Sequence, residues 1–225
     1  MMNYKDRYNV ACNLIDKGYL IHSTDASFDN FDKGFIKGGS RAREGYGFYF
    51  SDMPYKCIDY GDNLIIIKKN DFNFLELSDE IDLGWFSDED IRYNIAKLEY
   101  MLDGCRSNRE YDMYSSEIEK LEDELRNYDS DLLMYVKEAI KQGARNYGQL
   151  EYYMNDPQVN VPKLIKVYLN KGYDGGHYDG IYTVFNFDKL NEKFIRYEAM
   201  SEGEMLIKHV VNETVREYLR HNLVK

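Results

Sequence analysis

Hydrogen-bonding side chains stand in a row near the amino terminus, where His22 is followed by Ser23 and Thr24. They end a short apolar run, and the pattern predicts a strand over 19–24. A histidine ring can bind a hydroxyl group, and a serine offers both a backbone N–H and a side-chain hydroxyl. A lone histidine at a strand end is more often structural. Together with the glycine–aromatic segment downstream, the triplet predicts a binding site for a polar ligand.

The second candidate segment reads GYGFYFSD and predicts a strand over 46–51. Glycines at Gly45 and Gly47 would let a ligand approach the backbone closely. Tyr49 lies in this strand, and Tyr60 follows eleven positions later on the next turn or helix. Two tyrosines from different elements can enclose a flat ring. Each alone would be an ordinary core aromatic, but the combination indicates a site for a planar ligand.

These residues resemble the ADP-ribosyltransferases of the His-Tyr-Glu type, the branch of diphtheria toxin and the poly(ADP-ribose) polymerases. The resemblance lies in HSTDASFDNFDKG, in GYGFYFSD and in Tyr60. The chain is also similar to ADP-ribosyltransferase-like domains of phage and polyvalent mobile-element proteins, which end in a GYDG…VFN segment, here GYDGGHYDGIYTVFNFDKL. The resemblance covers roughly 18–77 and 163–198. It implies an α+β fold with a split, mostly antiparallel β-core, interrupted by a helical insertion, and NAD as the substrate.

The resemblance assigns a role to each residue of the two motifs. His22 would bind the hydroxyl of the nicotinamide-side ribose. Ser23, where the family usually has glycine, would hold the nicotinamide carboxamide through its backbone. Tyr49 and Tyr60 would sandwich the nicotinamide ring. The other residues of these motifs expected at the NAD site are Thr24, Gly47 and Ser51.

A predicted loop over 25–45 separates the two motifs, because aspartate, asparagine, glycine and serine dominate it. It carries two guanidinium groups, Arg41 and Arg43. On charge alone, these are candidates to contact the pyrophosphate or the adenosine half of NAD.

The glutamate of the family motif is replaced in this chain. Aligned on Val184, the family glutamate falls at Ile181. Asp179 lies two positions earlier, would point to the same face of a strand and is the substitute candidate for the catalytic carboxylate. Relatives with an aliphatic residue at the glutamate position transfer single ADP-ribose units, and others with such losses are inactive. The resemblance therefore implies mono-ADP-ribosyl transfer.

Three functions remain open at this stage. The first is mono-ADP-ribosyltransferase activity on a macromolecular target, in an effector encoded by a phage or mobile element. The second is an NAD glycohydrolase toxin, in which water is the acceptor. The third is a catalytically inactive ADP-ribosyltransferase fold that serves as an interaction module, which the missing glutamate favours.

The composition indicates which class of partner and which cellular compartment to expect. The 225 residues carry a net charge of −11 and no cluster of Lys and Arg, which disfavours general nucleic-acid binding and favours a protein acceptor. The three cysteines lack the spacing of a metal site and indicate a reduced environment. No apolar run is long enough for a signal peptide or a membrane span. We expect a cytoplasmic protein, in the host cell if a phage encodes it.

The length of the chain predicts a single domain over 1–225. A helix is expected over 4–17 and strands over 63–69, 73–77, 180–187 and 194–200. A helical insertion is expected over 80–160, with helices over 89–102, 110–128 and 131–142, followed by a helix over 161–172. The simplest role of this insertion is structural. The alternative is that it recognises the target or a partner chain. A capping pattern predicts a carboxy-terminal helix within 201–225.

Overall fold

A computed structural model of the chain describes residues 4–26, 30–31, 47–61, 63–126, 128–199 and 205–209. The helices in these ranges are α1 (Tyr4–Asp16), α2 (Pro54–Cys57), α3 (Glu89–Asp103), α4 (Asn108–Arg126), α5 (Leu132–Gln142), α6 (Tyr147–Tyr153), α7 (Pro157–Asn170) and α8 (Phe187–Lys193). The strands are β1 (Tyr19–Thr24), β2 (Phe48–Ser51), β3 (Asn63–Lys68), β4 (Phe74–Glu76), β5 (Gly175–Tyr178), β6 (Ile181–Val184), β7 (Ile195–Ala199) and β8 (Met205–His209). Short 3₁₀ helices cover Ile58–Tyr60, Lys69–Asp71 and Leu83–Phe86. The predicted α+β class is confirmed.

The described strands form one sheet in the order β4-β5-β6-β2-β1-β3-β7-β8. Every neighbouring pair is antiparallel except β4 and β5, which confirms the mostly antiparallel core. The pairing of β1 with β3 runs along the whole of both strands. By contrast, the pairing of β1 with β2 in the described residues is confined to Ile21 and Ser51. The centre of the sheet is therefore joined at a single position.

Strand β3 is buried on both faces of the sheet, as its unbroken apolar run predicts. Leu64 and Ile66 belong to a cluster with α1, and the face that carries them is called the α1 face. Ile65 and Ile67 belong to a cluster with α8 and Phe31, which defines the α8 face. Packing on both faces gives the strand rigid support, and β1 is paired with it along its length.

The helical segment between β4 and β5 has two unlike parts. Helices α5, α6 and α7 share a buried cluster that includes Leu75 of β4. Helices α3 and α4 form the predicted antiparallel pair, and none of their described residues is fully buried. We call α3, α4 and the turn between them the helical hairpin. It extends from the body of the protein, whereas the three later helices complete the core.

Two helices of this segment differ from the sequence prediction. Helix α7 begins at Pro157 instead of at 161, because Pro157 occupies the first turn, where its missing N–H costs nothing. Helix α6 was not predicted, although Asn146 caps it by accepting a hydrogen bond from the Gln149 N–H at 3.0 Å. It is too short for its hydrophobic spacing to stand out.

The glycine-rich stretch before Asp179 contains strand β5, which the hydrophobic pattern of the sequence did not predict. A Cβ atom at Gly175 would lie 2.4 Å from the Thr183 carbonyl oxygen, so the strand requires glycine to approach β6. Asp179 and Gly180 then form the two-residue connection to β6, with φ of 48° and 72°. An Asp-Gly pair with positive φ is typical of a tight β-hairpin.

The carboxy-terminal helix prediction is wrong over 205–209. These residues form β8, which pairs antiparallel with β7 at the edge of the sheet. The backbone hydrogen bonds offered by that edge outweigh the local helical pattern. The rest of the predicted helix lies outside the described residues. Within the described part of the chain, no helix is both long and apolar enough to cross a membrane.

Candidate functional site

His22 lies in β1 just beyond the single point at which β1 pairs with β2. Its Nδ1 atom is 2.8 Å from the carbonyl oxygen of Tyr49. Because a carbonyl only accepts hydrogen bonds, Nδ1 must carry the hydrogen, and Nε2 is then the acceptor of the ring. This contact joins the two sequence motifs directly and fixes the imidazole tautomer.

Burial controls the charge of His22. Removal of the ring from water lowers the pKa of His22 below its ordinary value, and the hydrogen bond to the Tyr49 carbonyl opposes this only in part. The imidazole is therefore neutral at neutral pH. A neutral ring with Nδ1–H committed to the backbone offers one lone pair, on Nε2, suited to a hydroxyl donor.

Ser23 connects the end of β1 to the segment that carries Tyr60. Its side chain is buried, and its hydroxyl accepts a hydrogen bond from the Tyr60 N–H at 3.1 Å and donates to the carbonyl of Cys57. Gly61 packs so closely that a Cβ atom there would lie 2.0 Å from the backbone of Thr24. The backbone of Tyr60 is therefore held against β1, while its ring is 71% exposed.

The two tyrosines lie on the same face of the sheet. Phe50 belongs to the cluster on the α8 face, so alternation along β2 directs Tyr49 to the α1 face. Ile58 packs into the cluster on the α1 face, which places the 3₁₀ turn of Tyr60 over that face as well. The structure thus brings Tyr49 and Tyr60 to one side of the β1–β2 junction, as a ring sandwich requires.

The His22 ring approaches the junction from the other side. Its centroid is 5.9 Å from that of Phe50, and alternation from Ile21 directs it to the α8 face. His22 and Tyr49 therefore meet through the Tyr49 carbonyl and not through their rings. A ligand that touches both side chains has to reach the gap beyond the Ile21–Ser51 pair.

Ser51 has a clear structural role at the end of β2. Its hydroxyl donates to the Gly180 carbonyl at 2.8 Å and accepts from the Met53 N–H at 2.9 Å. The side chain is 3% exposed. These bonds tie β2 to the β5–β6 turn, so the hydroxyl is already engaged by the protein.

Ile181, which the resemblance aligns with the family glutamate, lies on the same face of the sheet as Tyr49. It pairs with Ser51, and its neighbour Tyr182 packs on the α8 face, so Ile181 lies on the α1 face with Tyr49. Its side chain is partly buried and carries no group that can take a proton. The side chain is therefore apolar, and the alignment of this position with the family glutamate stays a prediction.

The expectation that Asp179 points to the same face as Ile181 was wrong, because Asp179 lies in the turn before β6. Its carboxylate accepts a hydrogen bond from Lys56 Nζ at 2.8 Å, and its carbonyl accepts another from the same atom at 2.6 Å. The hydrogen bond from Lys56 lowers the pKa of Asp179 below its ordinary value. The group is thus ionised and a weak base. Sequence reasoning missed Lys56, which lies 123 positions away.

The remaining predicted residues fall into three cases. Gly47 has φ of 150°, and a Cβ atom there would lie 2.4 Å from the Val184 carbonyl oxygen, so its contact is with β6. The Thr24 hydroxyl accepts a hydrogen bond from the Ala26 N–H at 3.1 Å, a local turn contact. Arg41 and Arg43 lie outside the described residues. Among the described residues, no group of three or more His, Cys, Asp or Glu side chains is placed to hold a metal ion.

No family model, no curated protein and no solved structure was found to match this chain.

Proposed function

We propose that the protein is a mono-ADP-ribosyltransferase that moves ADP-ribose from NAD to a macromolecular acceptor, a protein in preference to a nucleic acid. The observation that carries this proposal is the hydrogen bond from His22 Nδ1 to the Tyr49 carbonyl. It unites the two motifs on which the resemblance rests, and it leaves Nε2 to accept a ribose hydroxyl.

In this proposal, NAD occupies the gap between β1 and β2. The nicotinamide ring lies between Tyr49 and Tyr60 on the α1 face, and the backbone of Ser23 holds its carboxamide. Because the His22 ring lies on the α8 face, the adjoining ribose has to enter the gap beyond the Ile21–Ser51 pair for its hydroxyl to reach Nε2. Support comes from the hydrogen bond between Ser23 and Tyr60, which fixes the exposed tyrosine beside the strand before any ligand arrives.

The chemical step breaks the bond between nicotinamide nitrogen and ribose C1′. The bonding electron pair leaves with nicotinamide, and C1′ develops oxocarbenium character that preorganised contacts stabilise. A nucleophile of the acceptor then forms a bond to C1′ and loses its proton. Ile181 has no group to take that proton, and Lys56 holds Asp179 as a weak base. We therefore assign the proton acceptor to the target protein or to solvent.

The apolar residue at the glutamate position agrees with transfer of single units. Chain growth would need the hydroxyl of an attached ADP-ribose to be activated, and Ile181 lacks a carboxylate for this. The resemblance further supports an effector of a phage or mobile element that acts on host machinery in the host cytoplasm.

A second candidate function is an inactive ADP-ribosyltransferase-like interaction module. Ile181 is the observation that favours it, because the catalytic carboxylate of the family is missing there. NAD glycohydrolysis would follow if water took the place of the acceptor nucleophile.

The proposal is tested by incubating the purified protein and a bacterial lysate with NAD labelled in the adenylate phosphate. The matched variants are His22→Ala with Tyr49→Ala, and Tyr152→Ala as a control, because Tyr152 is a 79% exposed tyrosine of α6. We expect a labelled macromolecule with the wild type and the control, and none with the double variant. Free ADP-ribose alone would identify a glycohydrolase. No product and no NAD binding would leave the interaction module.

A further inference from the structure

We propose that the tip of the helical hairpin is a docking site for a basic segment of a partner protein, with an arginine or lysine side chain in its cavity. The cavity lies where α3 ends and α4 begins, and its volume is about 430 Å³. Its apolar wall includes Tyr100, Met101 and Tyr114, and its acidic groups are Asp103 and Glu110. This volume is at the lower end of the range of small-molecule pockets.

The residues that line the cavity suit a side chain with a cationic end group and an apolar methylene chain. Two carboxylates line the cavity and no basic side chain does. Tyrosine faces attract guanidinium and ammonium groups, and Met101 can pack against the methylene stem of arginine or lysine. The two carboxylates disfavour an anionic group inside the cavity, while Arg106 and Arg109 lie in the sequence between its lining residues Cys105 and Glu110.

One of the two carboxylates is positioned before any ligand binds. The Ser107 hydroxyl donates to Glu110 Oε2 at 3.0 Å and accepts from the Glu110 N–H at 3.2 Å. The second bond caps the start of α4, and the first holds one carboxylate oxygen of Glu110 in place. A held carboxylate loses less side-chain freedom on binding than a mobile one.

The rest of the helical hairpin is also complementary to a partner with basic and apolar residues. Residues 89–126 contain eleven acidic and six basic side chains, so this segment carries nearly half of the excess negative charge of the chain. Large apolar side chains are exposed along it outside the cavity, at Tyr93, Tyr111 and Met113. A small cation would use the cavity alone, whereas a polypeptide with basic and apolar residues uses the whole surface. We therefore infer a protein partner.

The test uses the full chain and a fluorescent peptide in which arginines alternate with leucines. The reference peptide has citrulline, the neutral isostere, in place of every arginine. Binding is followed by fluorescence anisotropy. Since no NAD is present, this outcome does not depend on the proposed transferase activity.

Two double variants locate the binding. Asp103→Asn with Glu110→Gln removes two charges from the cavity, and the glutamine side-chain oxygen can still accept the hydrogen bond from the Ser107 hydroxyl. Glu119→Gln with Glu124→Gln removes two charges from exposed positions of α4 outside the cavity. We expect the first to weaken arginine-peptide binding about tenfold or more and the second to change it by less than about twofold.

Three results would overturn the proposal. Equal weakening by both double variants would mean general attraction to negative charge. Equal affinity for the citrulline peptide would mean an apolar patch without cation recognition. Absence of arginine-peptide binding to the wild type at roughly 1 mM would mean no site of this kind.

Discussion

The β-core at the candidate site and the helical hairpin are held by contacts of different range. In the β-core, Ser23 bonds to Cys57 across 34 positions, and Ser51 bonds to Gly180 across 129 positions. In the hairpin, ion pairs join residues three or four positions apart, as between Lys120 and Glu117. Buried contacts between distant segments fix a geometry, whereas short exposed pairs contribute little to stability.

This difference separates two tasks. Catalysis requires groups placed with little freedom, and His22 and Tyr60 have such support from β1, β2 and the 3₁₀ turn. Recognition of a large partner requires exposed side chains, and Tyr100 is 82% exposed on the hairpin. We therefore expect substitutions in the two regions to act on different properties, stability and NAD binding in one and partner binding in the other.

The largest effect on stability is expected for a core residue of β3. Ile66→Ala removes a fully buried side chain, which should lower the free energy of unfolding by about 2–5 kcal/mol. Tyr100→Ala in the hairpin should change it by less than about 0.5 kcal/mol. Urea unfolding followed by circular dichroism measures both, and similar losses would show that the hairpin is part of the core.

A matched pair of glycine substitutions gives the next largest effect. Gly61→Ala places a methyl group into the backbone of Thr24 and should cost about 1–3 kcal/mol of unfolding free energy. It should also weaken NAD binding, because Tyr60 is displaced. Gly104→Ala in the hairpin, with its nearest atom at 3.6 Å, should be close to neutral. Thermal unfolding and an NAD titration of both variants check this, and an unaltered Gly61→Ala protein would contradict it.

A smaller effect is expected from the titration of His22. Its pKa in the folded protein lies below the unfolded value of 6.5, so the unfolded state takes up a proton first as the pH falls. The part of the unfolding free energy that depends on His22 should therefore be constant above about pH 7 and decline below about pH 6.5. Urea unfolding at pH 8 and at pH 5.5 should show a smaller loss for His22→Gln than for the wild type. If the two proteins showed the same pH dependence, burial would not be what keeps the His22 ring neutral.

The smallest effect is expected at the turn between β5 and β6. Asp179→Asn keeps a residue that tolerates positive φ, and its contact with Lys56 is solvent-exposed. The free energy of unfolding should be nearly unchanged, and the rate of ADP-ribose transfer should stay within about twofold of the wild-type rate. A loss of transfer of about a hundredfold in a rate assay would instead identify Asp179 as the general base.

The parts of the fold that local patterns specify were predicted well. The apolar run of β3 and the spacing of α3 and α4 are local signals, and all three elements lie close to their predicted bounds. Within the candidate site, the adjacency of His22 and Tyr49 follows from two strands that are near in sequence. The ring sandwich and the role of Ile181 remain predictions.

The parts that sequence reasoning missed depend on contacts between distant residues. Strand β5 is glycine-rich because it packs closely against Thr183 and Leu77, and its pairing with β4 crosses the whole helical segment. The ion pair of Lys56 with Asp179 arises only when α2 packs beside the β5–β6 turn. No pattern among neighbouring residues in the sequence predicts such a contact between distant segments.

The central claim is most directly tested by calorimetric titration of NAD into the wild type, the His22→Ala with Tyr49→Ala double variant and the Tyr152→Ala control. We expect the wild type and the control to bind NAD equally, and the folded double variant to bind it at least about tenfold more weakly. No binding to the wild type, or equal binding to all three proteins, would contradict an NAD site at the β1–β2 junction.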